Sequence, residues 1–194
     1  MSNDEKIINL EMNEEEKKFI NSLNLITSKP MLYICNVDEK SAVKGNVFST
    51  FVKEKVNKES NEILLVSSVM ESQLAELNDE TDKLEMLNGL ELKESALKKV
   101  IHAGYNLLNL ITFFTCDPKE TRAWTITKNA KALQAARKIH TDFEKGFIRA
   151  ETIAYEDFAN LKGEAACREA GKLRLEGKDY IVKDGDVFYF LFNV

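Results

Sequence analysis

Three groups of residues in this chain of 194 have types and spacing that could do chemistry. The first is Asn36-Val37-Asp38-Glu39, directly after the strand-like run Met31–Cys35. A carboxamide and a carboxylate three residues apart at the mouth of a strand can read the edge of a planar base, with Val37 against its ring. Ser67 and Ser68 follow a second apolar run, Glu62–Val66, where a backbone contact to the same base would fall. The second group is His140, Asp142 and Glu144, which suggests a metal or an acid–base pair. Only two histidines exist, His102 and His140, so the plainer reading is a turn ordered by hydrogen bonds and permitted by Gly146. The third group is basic: Arg137, Lys138, Lys145, Arg149, Lys162, Arg168, Lys172, Arg174 and Lys178. Clustered on one face, such cations hold nucleic-acid phosphates. Lys145, Arg149, Lys172 and Arg174 are the candidates for RNA contact. The aromatics beside them, Phe113, Trp124, Phe188, Tyr189 and Phe190, are also needed to fill a core, and a solvated mixed-charge surface is the competing reading.

The first group can be compared with the N-K-x-D loop of GTP hydrolases, whose Asp accepts two hydrogen bonds from guanine. Here Asn36 is in place, Val37 replaces Lys and Glu39 replaces Asp. Glutamate is one methylene longer, so the two-point fit to guanine is poorer and the loop predicts relaxed or adenine-tolerant binding. No G-x-x-x-x-G-K-[ST] segment occurs. Without it, nothing in these residues cradles the outer phosphates or places a hydroxyl for Mg²⁺. The chain by itself is expected neither to hydrolyse a nucleotide nor to bind one tightly.

Composition narrows the classes. Hydrophobic residues make up 44% and charged residues 30%, as in an ordinary globular protein. No apolar run is long enough to span a bilayer, and the first residues are acidic where a secretory leader is basic. A cytoplasmic protein is expected, with no membrane contact. Cys35, Cys116 and Cys167 are odd in number and far apart, which fits free thiols. Net charge is −5, divided as 13 cations against 19 acids in residues 1–110 and 14 against 13 in residues 111–194. A protein that coats nucleic acid would be far more basic, so any RNA contact must be local.

The elements that must position these groups follow from spacing. Asn13 with Glu14–Glu16 starts a helix carrying Phe19, Ile20 and Leu23. Phe48, Phe51, Val52 and Val56 repeat as one face of a helix between the two apolar strands. A helix begins near Val69, another covers 78–87 and stops at Asn88-Gly89, and Ser95 caps a third bearing Leu97, Val100, Ile101, Tyr105 and Leu108. Uniformly apolar strands alternating with helices indicate a parallel sheet covered on both faces, and two strands leave such a sheet unfinished. From 110 onward the character changes. Strands are expected at 111–115, 122–127 and 147–153, helices at 130–139 and 155–161, a loop and helix to Gly171, and a last hairpin of 179–183 with 187–192 turning at Asp184-Gly185-Asp186. That order suits a sheet wrapped round one helix, a β-grasp.

Long strings carry a resemblance: SLNLITSKPMLYICNVDE, AGYNLLNLITFFT, RAWTI, KIHTDFEKGFIRAETI and EAGKLRLEGKDYIVKDGDVFYFLFNV. They resemble the C-terminal part of the Obg-related YchF ATPases (Obg-like ATPases). The resemblance implies α/β plus α+β architecture in three pieces: 1–22 as the end of a helical, coiled-coil insertion, 23–109 as the closing part of a P-loop nucleotide domain, and 110–194 as a ubiquitin-like TGS domain. It implies base recognition through Asn36, Val37 and Glu39, with ATP or GTP and Mg²⁺ as the family's ligands. It also implies a ribosome or structured-RNA partner for the TGS domain. Cys116-Asp117 departs from the family's usual Ala-Gly, and Leu133 and Arg137 stand where it favours Pro and Gly. The alternative is a free-standing TGS-type module that binds RNA or ribosomes without a nucleotide. Residues 30–77 are expected to be either covered by a partner in a homodimer or poorly ordered, while the TGS half stands alone; the family's missing P-loop portion is a further partner that the resemblance implies.

Overall fold

The computed structural model describes residues 7, 10–56, 62–117 and 119–193. It divides into two compact units, Met1–Leu107 and Leu108–Val194. No helix among the described residues is long and apolar enough to cross a membrane.

The first unit opens with α1, Glu14–Ser22. Asn13 Oδ1 accepts from the backbone of Glu15 and Glu16, and Glu16 returns a bond to the Asn13 N–H at 2.9 Å, the reciprocal cap that the sequence implied. Strands β1, Leu32–Asn36, and β2, Glu62–Val66, are parallel and in register from Leu32 opposite Glu62 to Asn36 opposite Val66. Helix α2, Val47–Val56, lies between them in the chain. Its cap is again reciprocal: Asn46 Oδ1 accepts from Ser49 N–H, and Ser49 Oγ accepts from Asn46 N–H. Three helices follow: α3 (Ser68–Glu76), α4 (Glu80–Gly89) and α5 (Ala96–Leu107). Ser95 Oγ caps α5 as expected, and Glu71 of α3 adds a second cap, accepting from Ala96 and Leu97.

Two expectations for this unit change. Helix α2 buries Ser49 and Val56 and leaves Phe48 82% exposed, because among the described residues the sheet ends after two strands and offers the phenylalanines nothing to pack on. Helix α4 stops at Gly89 as expected, but the left-handed residue that turns the chain after it is Glu91, at φ 57°, and not that glycine.

The second unit is a five-stranded sheet in the order β4-β3-β7-β5-β6. Its strands are β3 (Leu110–Cys116), β4 (Thr121–Thr127), β5 (Phe147–Ala154), β6 (Arg174–Glu176) and β7 (Asp186–Phe192). The first and last strands, β3 and β7, lie side by side and parallel, and the other pairs are antiparallel. Helix α6, Ala132–Ile139, packs on one face. Its buried residues Ala132, Ala135 and Ala136 are all small, which lets the helix come close to Phe113, Phe188 and Phe190. The other face is covered in part by α8 (Tyr155–Leu161) and α9 (Glu164–Glu169), through Cys167, Phe158 and Leu161 on Ile153 and Val187. This is the sheet-round-a-helix arrangement that the order of elements implied.

The expected last hairpin does not form. Of 179–183 only Ile181 makes a bridge, to Lys131, and the strand before β7 is instead β6, paired with β5. The Asp184-Gly185 turn is held from elsewhere: Asp184 Oδ1 accepts from Thr112 N–H, Gly185 N–H donates to Thr112, and Gly185 O accepts from Tyr155 N–H. Hydrogen bonds between residues more than 25 positions apart took the place of a local pairing.

Candidate functional site

Asn36 ends β1, and its backbone partner across the sheet is Val66, the last residue of β2. The parallel register therefore brings the two strand exits together, which is where open α/β sheets place ligands. Asn36 Oδ1 accepts from both Ser68 N–H, at 3.2 Å, and Ser68 Oγ, at 3.1 Å. The carboxamide orientation is thus fixed, with its N–H₂ group turned away from Ser68. Val37 N–H donates to Val66 at 2.8 Å, and the Val37 side chain is only 8% exposed, so little of it is open to a ring. Asp38 caps the short turn Glu39–Ser41 through Ser41 N–H and Oγ, which points it away from ligand duty. Glu39 Oε1 accepts from Gln73 Nε2 at 3.4 Å. Ser67 is 2% exposed, and its hydroxyl has no hydrogen-bond partner among the described residues.

The structure therefore brings Asn36, Ser67 and Ser68 together, with Glu39 beside them. Gln73, on the second turn of α3, is an addition that sequence reading missed. It lies 34 positions from its partner, and no local signal marks it.

His140 and Asp142 behave as the plainer reading held. His140 Nδ1 accepts from Asp142 N–H at 3.2 Å and caps the short helix α7, Thr141–Lys145. Among the described residues no group of three or more His, Cys, Asp or Glu could hold a metal ion. Gly146 is required by space: a Cβ there would stand 2.1 Å from the Asn193 carbonyl oxygen, while its φ of −94° suits any residue.

The four cations proposed for RNA do not form one patch. Lys145 ends α7 and Arg149 lies on β5; both are exposed and without an ion pair among the described residues. Lys172 pairs with Asp157 at 3.2 Å. Arg174 pairs with Glu176 at 3.2 Å and Asp186 at 3.5 Å, and donates to Tyr180 Oη. Arg174 stands opposite Thr152, on the sheet face that Arg149 points away from.

Comparison with known proteins shows what the chain is similar to. Residues 110–193 match the family profile YchF-GTPase_C, described as a protein of unknown function. The chain is 53% identical over 185 residues to the ribosome-binding ATPase YchF of Escherichia coli O157:H7, covering 95% of this chain and 50% of that protein. It is 48% identical over 187 residues to the ribosome-binding ATPase YchF of Bacillus subtilis (strain 168), covering 95% of this chain and 51% of the relative. Among solved structures, the Schizosaccharomyces pombe YchF GTPase superposes with a TM-score of 0.84 at 37% identity, covering 96% of this chain and 50% of that one. The chain spans about half the length of the relatives it matches.

Proposed function

Since this chain is homologous over nearly its whole length to the C-terminal part of the YchF-type ATPases, we propose that it supplies the base-reading loop and the ribosome-facing domain of such a protein. The observation that carries the first half is the fixed Asn36 carboxamide, with Oδ1 engaged by Ser68 at the exits of β1 and β2. With Oδ1 taken, Asn36 donates through Nδ2 to a purine ring nitrogen, and the Glu39 carboxylate accepts from an exocyclic amine. Ser67 and Ser68 form the backbone floor, with Val37 beneath. A carboxylate at the end of the longer glutamate side chain discriminates weakly between guanine and adenine, so both ATP and GTP are ligands of this loop. The residues present fit the base and not the phosphates. The resemblance assigns Mg²⁺ and the phosphate cradle to a P-loop portion that the matched half does not contain, and Mg²⁺ would supply charge neutralisation there.

The second half concerns residues 110–194, which we read as a TGS domain of a cytoplasmic protein that meets the ribosome or structured RNA. Lys145 and Arg149 offer free charge for it. A second reading, a ribosome-binding module that meets no nucleotide, is favoured by one observation: the second unit has a closed core of its own, while among the described residues the sheet of the first ends after two strands.

Amide shift mapping during titration with ATP and with GTP separates the readings. Weak binding of both, with shifts centred on residues 36–39 and 67–68 and lost in Asn36→Ala, is expected. Shifts centred elsewhere, or none at millimolar nucleotide, would leave the module reading standing alone. Co-sedimentation with bacterial ribosomes tests the second half directly.

A further inference from the structure

The acids and bases of the second unit are unevenly placed. Residues 121–138 contain Arg122, Lys128, Lys131, Arg137 and Lys138 and no Asp or Glu. Of the acids in 111–194, Asp117 and Glu120 precede this stretch, and the rest begin at Asp142. The stretch is not a continuous surface in sequence alone, since it comprises strand β4, a turn and helix α6. The fold folds it back on itself: Ile126, Thr127 and Ala130 on one side and Gln134, Arg137 and Lys138 on the other line a surface groove of about 300 Å³.

Few acids reach in from outside. Lys131 pairs with Asp179 at 2.7 Å, and Arg137 with Glu144 at 3.5 Å. Arg122, Lys128 and Lys138 are exposed and have no ion pair among the described residues. Elsewhere in the unit Arg168 is tied to Glu151 and Glu164, as Lys172 and Arg174 are to their own acids. Arg122 lies over the Trp124 ring at 4.3 Å, and Trp124 is fixed by its N–H to Thr115 Oγ1 at 2.9 Å. The guanidinium is therefore held as an exposed plate on which a base can stack. Helix-end stabilisation explains Arg137 and Lys138. It does not explain Arg122 or Lys128, which are on or beside a strand.

We propose that the groove between β4 and α6 holds an RNA strand, with phosphates on Lys128, Arg137 and Lys138 and a base against Arg122. This rests on the ribosome-facing reading above and names the surface and chemistry for it. Single-strand binding releases counterions, so affinity falls with salt in proportion to the phosphates contacted.

The test is a triple substitution, Lys128→Gln, Arg137→Gln and Lys138→Gln, in the full chain. All three side chains are exposed, and the unfolding midpoint checks that the fold is kept. Binding is read by anisotropy of a labelled single-stranded oligouridylate across a salt series, and by co-sedimentation with ribosomes. The expected result is a loss of roughly tenfold or more in affinity and a decrease of about 2 in the salt slope, at ~0.7 per phosphate contact. A triple variant that binds as the wild type, while Lys145→Gln with Arg149→Gln does not, overturns the groove and leaves the ribosome reading intact. If the triple variant loses ribosomes but the wild type never binds the oligonucleotide, the groove does not hold a single RNA strand and the assignment is wrong. A wild-type chain that binds neither probe sinks the ribosome reading, and the groove with it.

Discussion

The two units solve the problem of covering a sheet differently. In the second, the central strands β3, β7 and β5 have neighbours on both sides, and Phe113 at their centre is fully buried. In the first, the sheet among the described residues is one parallel pair, and Val47, Phe48 and Phe51 on α2 and Leu97 and Ile101 on α5 stay exposed. Both units have capped helices, such as α1 and α5 in the first and α6 and α7 in the second, and strands rich in strand formers. The difference shows that good local structure does not by itself make a core; a sheet needs enough strands to give each covering helix a floor.

Phe188→Ala should test this comparison most severely. Its side chain is 2% exposed, in contact with Phe113, Tyr180 and Phe190, and its loss should destabilise the second unit by about 3–5 kcal/mol. Phe48→Ala should change the first unit by no more than ~0.5 kcal/mol. Urea denaturation followed by near-UV signals measures both, and equal effects would erase the distinction between the units.

Gly146→Ala comes next. The new methyl meets a backbone carbonyl that accepts no easy shift, since Asn193 N–H also donates to Gly146 O at 2.9 Å. A cost of about 1–3 kcal/mol is expected in the second unit, and an unchanged denaturation midpoint would mean that the β7 terminus is not held there.

A smaller effect depends on pH. Tyr180 Oη donates to the buried Asp186 carboxylate at 2.9 Å, and burial first, then this bond, push the Tyr180 hydroxyl up to about 12. The folded state keeps the proton more tightly than the unfolded chain does. The stabilisation is therefore complete below the ordinary value of 10.0 and is lost as pH rises through about 12. Thermal melts of wild type and Tyr180→Phe should converge across that window, and parallel curves would show that the bond carries no linkage.

The smallest effects are expected in the first unit, at the base-reading loop. Asn36→Ala removes two bonds to Ser68 and should cost about 1 kcal/mol. Ser67→Ala removes a buried hydroxyl that has no partner among the described residues and should leave stability unchanged or raise it by up to ~1 kcal/mol. Losses of the same size in both variants would show that Ser67 has a partner in solution.

Much of this protein could be read from its residues in order, wherever the cause is local. Asn13 and Glu16 dictate a helix start because their side chains reach backbone groups within three positions. The apolar runs 31–35 and 62–66 could only be strands, and their exits carry the polar loop. The long strings that carry the resemblance to YchF-type ATPases were likewise visible before any fold. Several features were decided only in three dimensions. Lys172 and Arg174 looked as available as Lys145 and Arg149, yet Asp157 of α8 takes up Lys172, and Asp186 of β7 joins Glu176 of the same strand on Arg174, because ion pairing depends largely on which elements meet. The hairpin of 179–192 failed because Thr112 and Tyr155 hold its turn from far away. Gly146 is indispensable for a neighbour 47 positions later, Asn193, and not for its own dihedral angle. Sequence determined the segments, since helix and strand preferences act over a few residues. Tertiary structure decided the surfaces, since which charges stay free and which apolar faces stay open depends on contacts between distant parts of the chain.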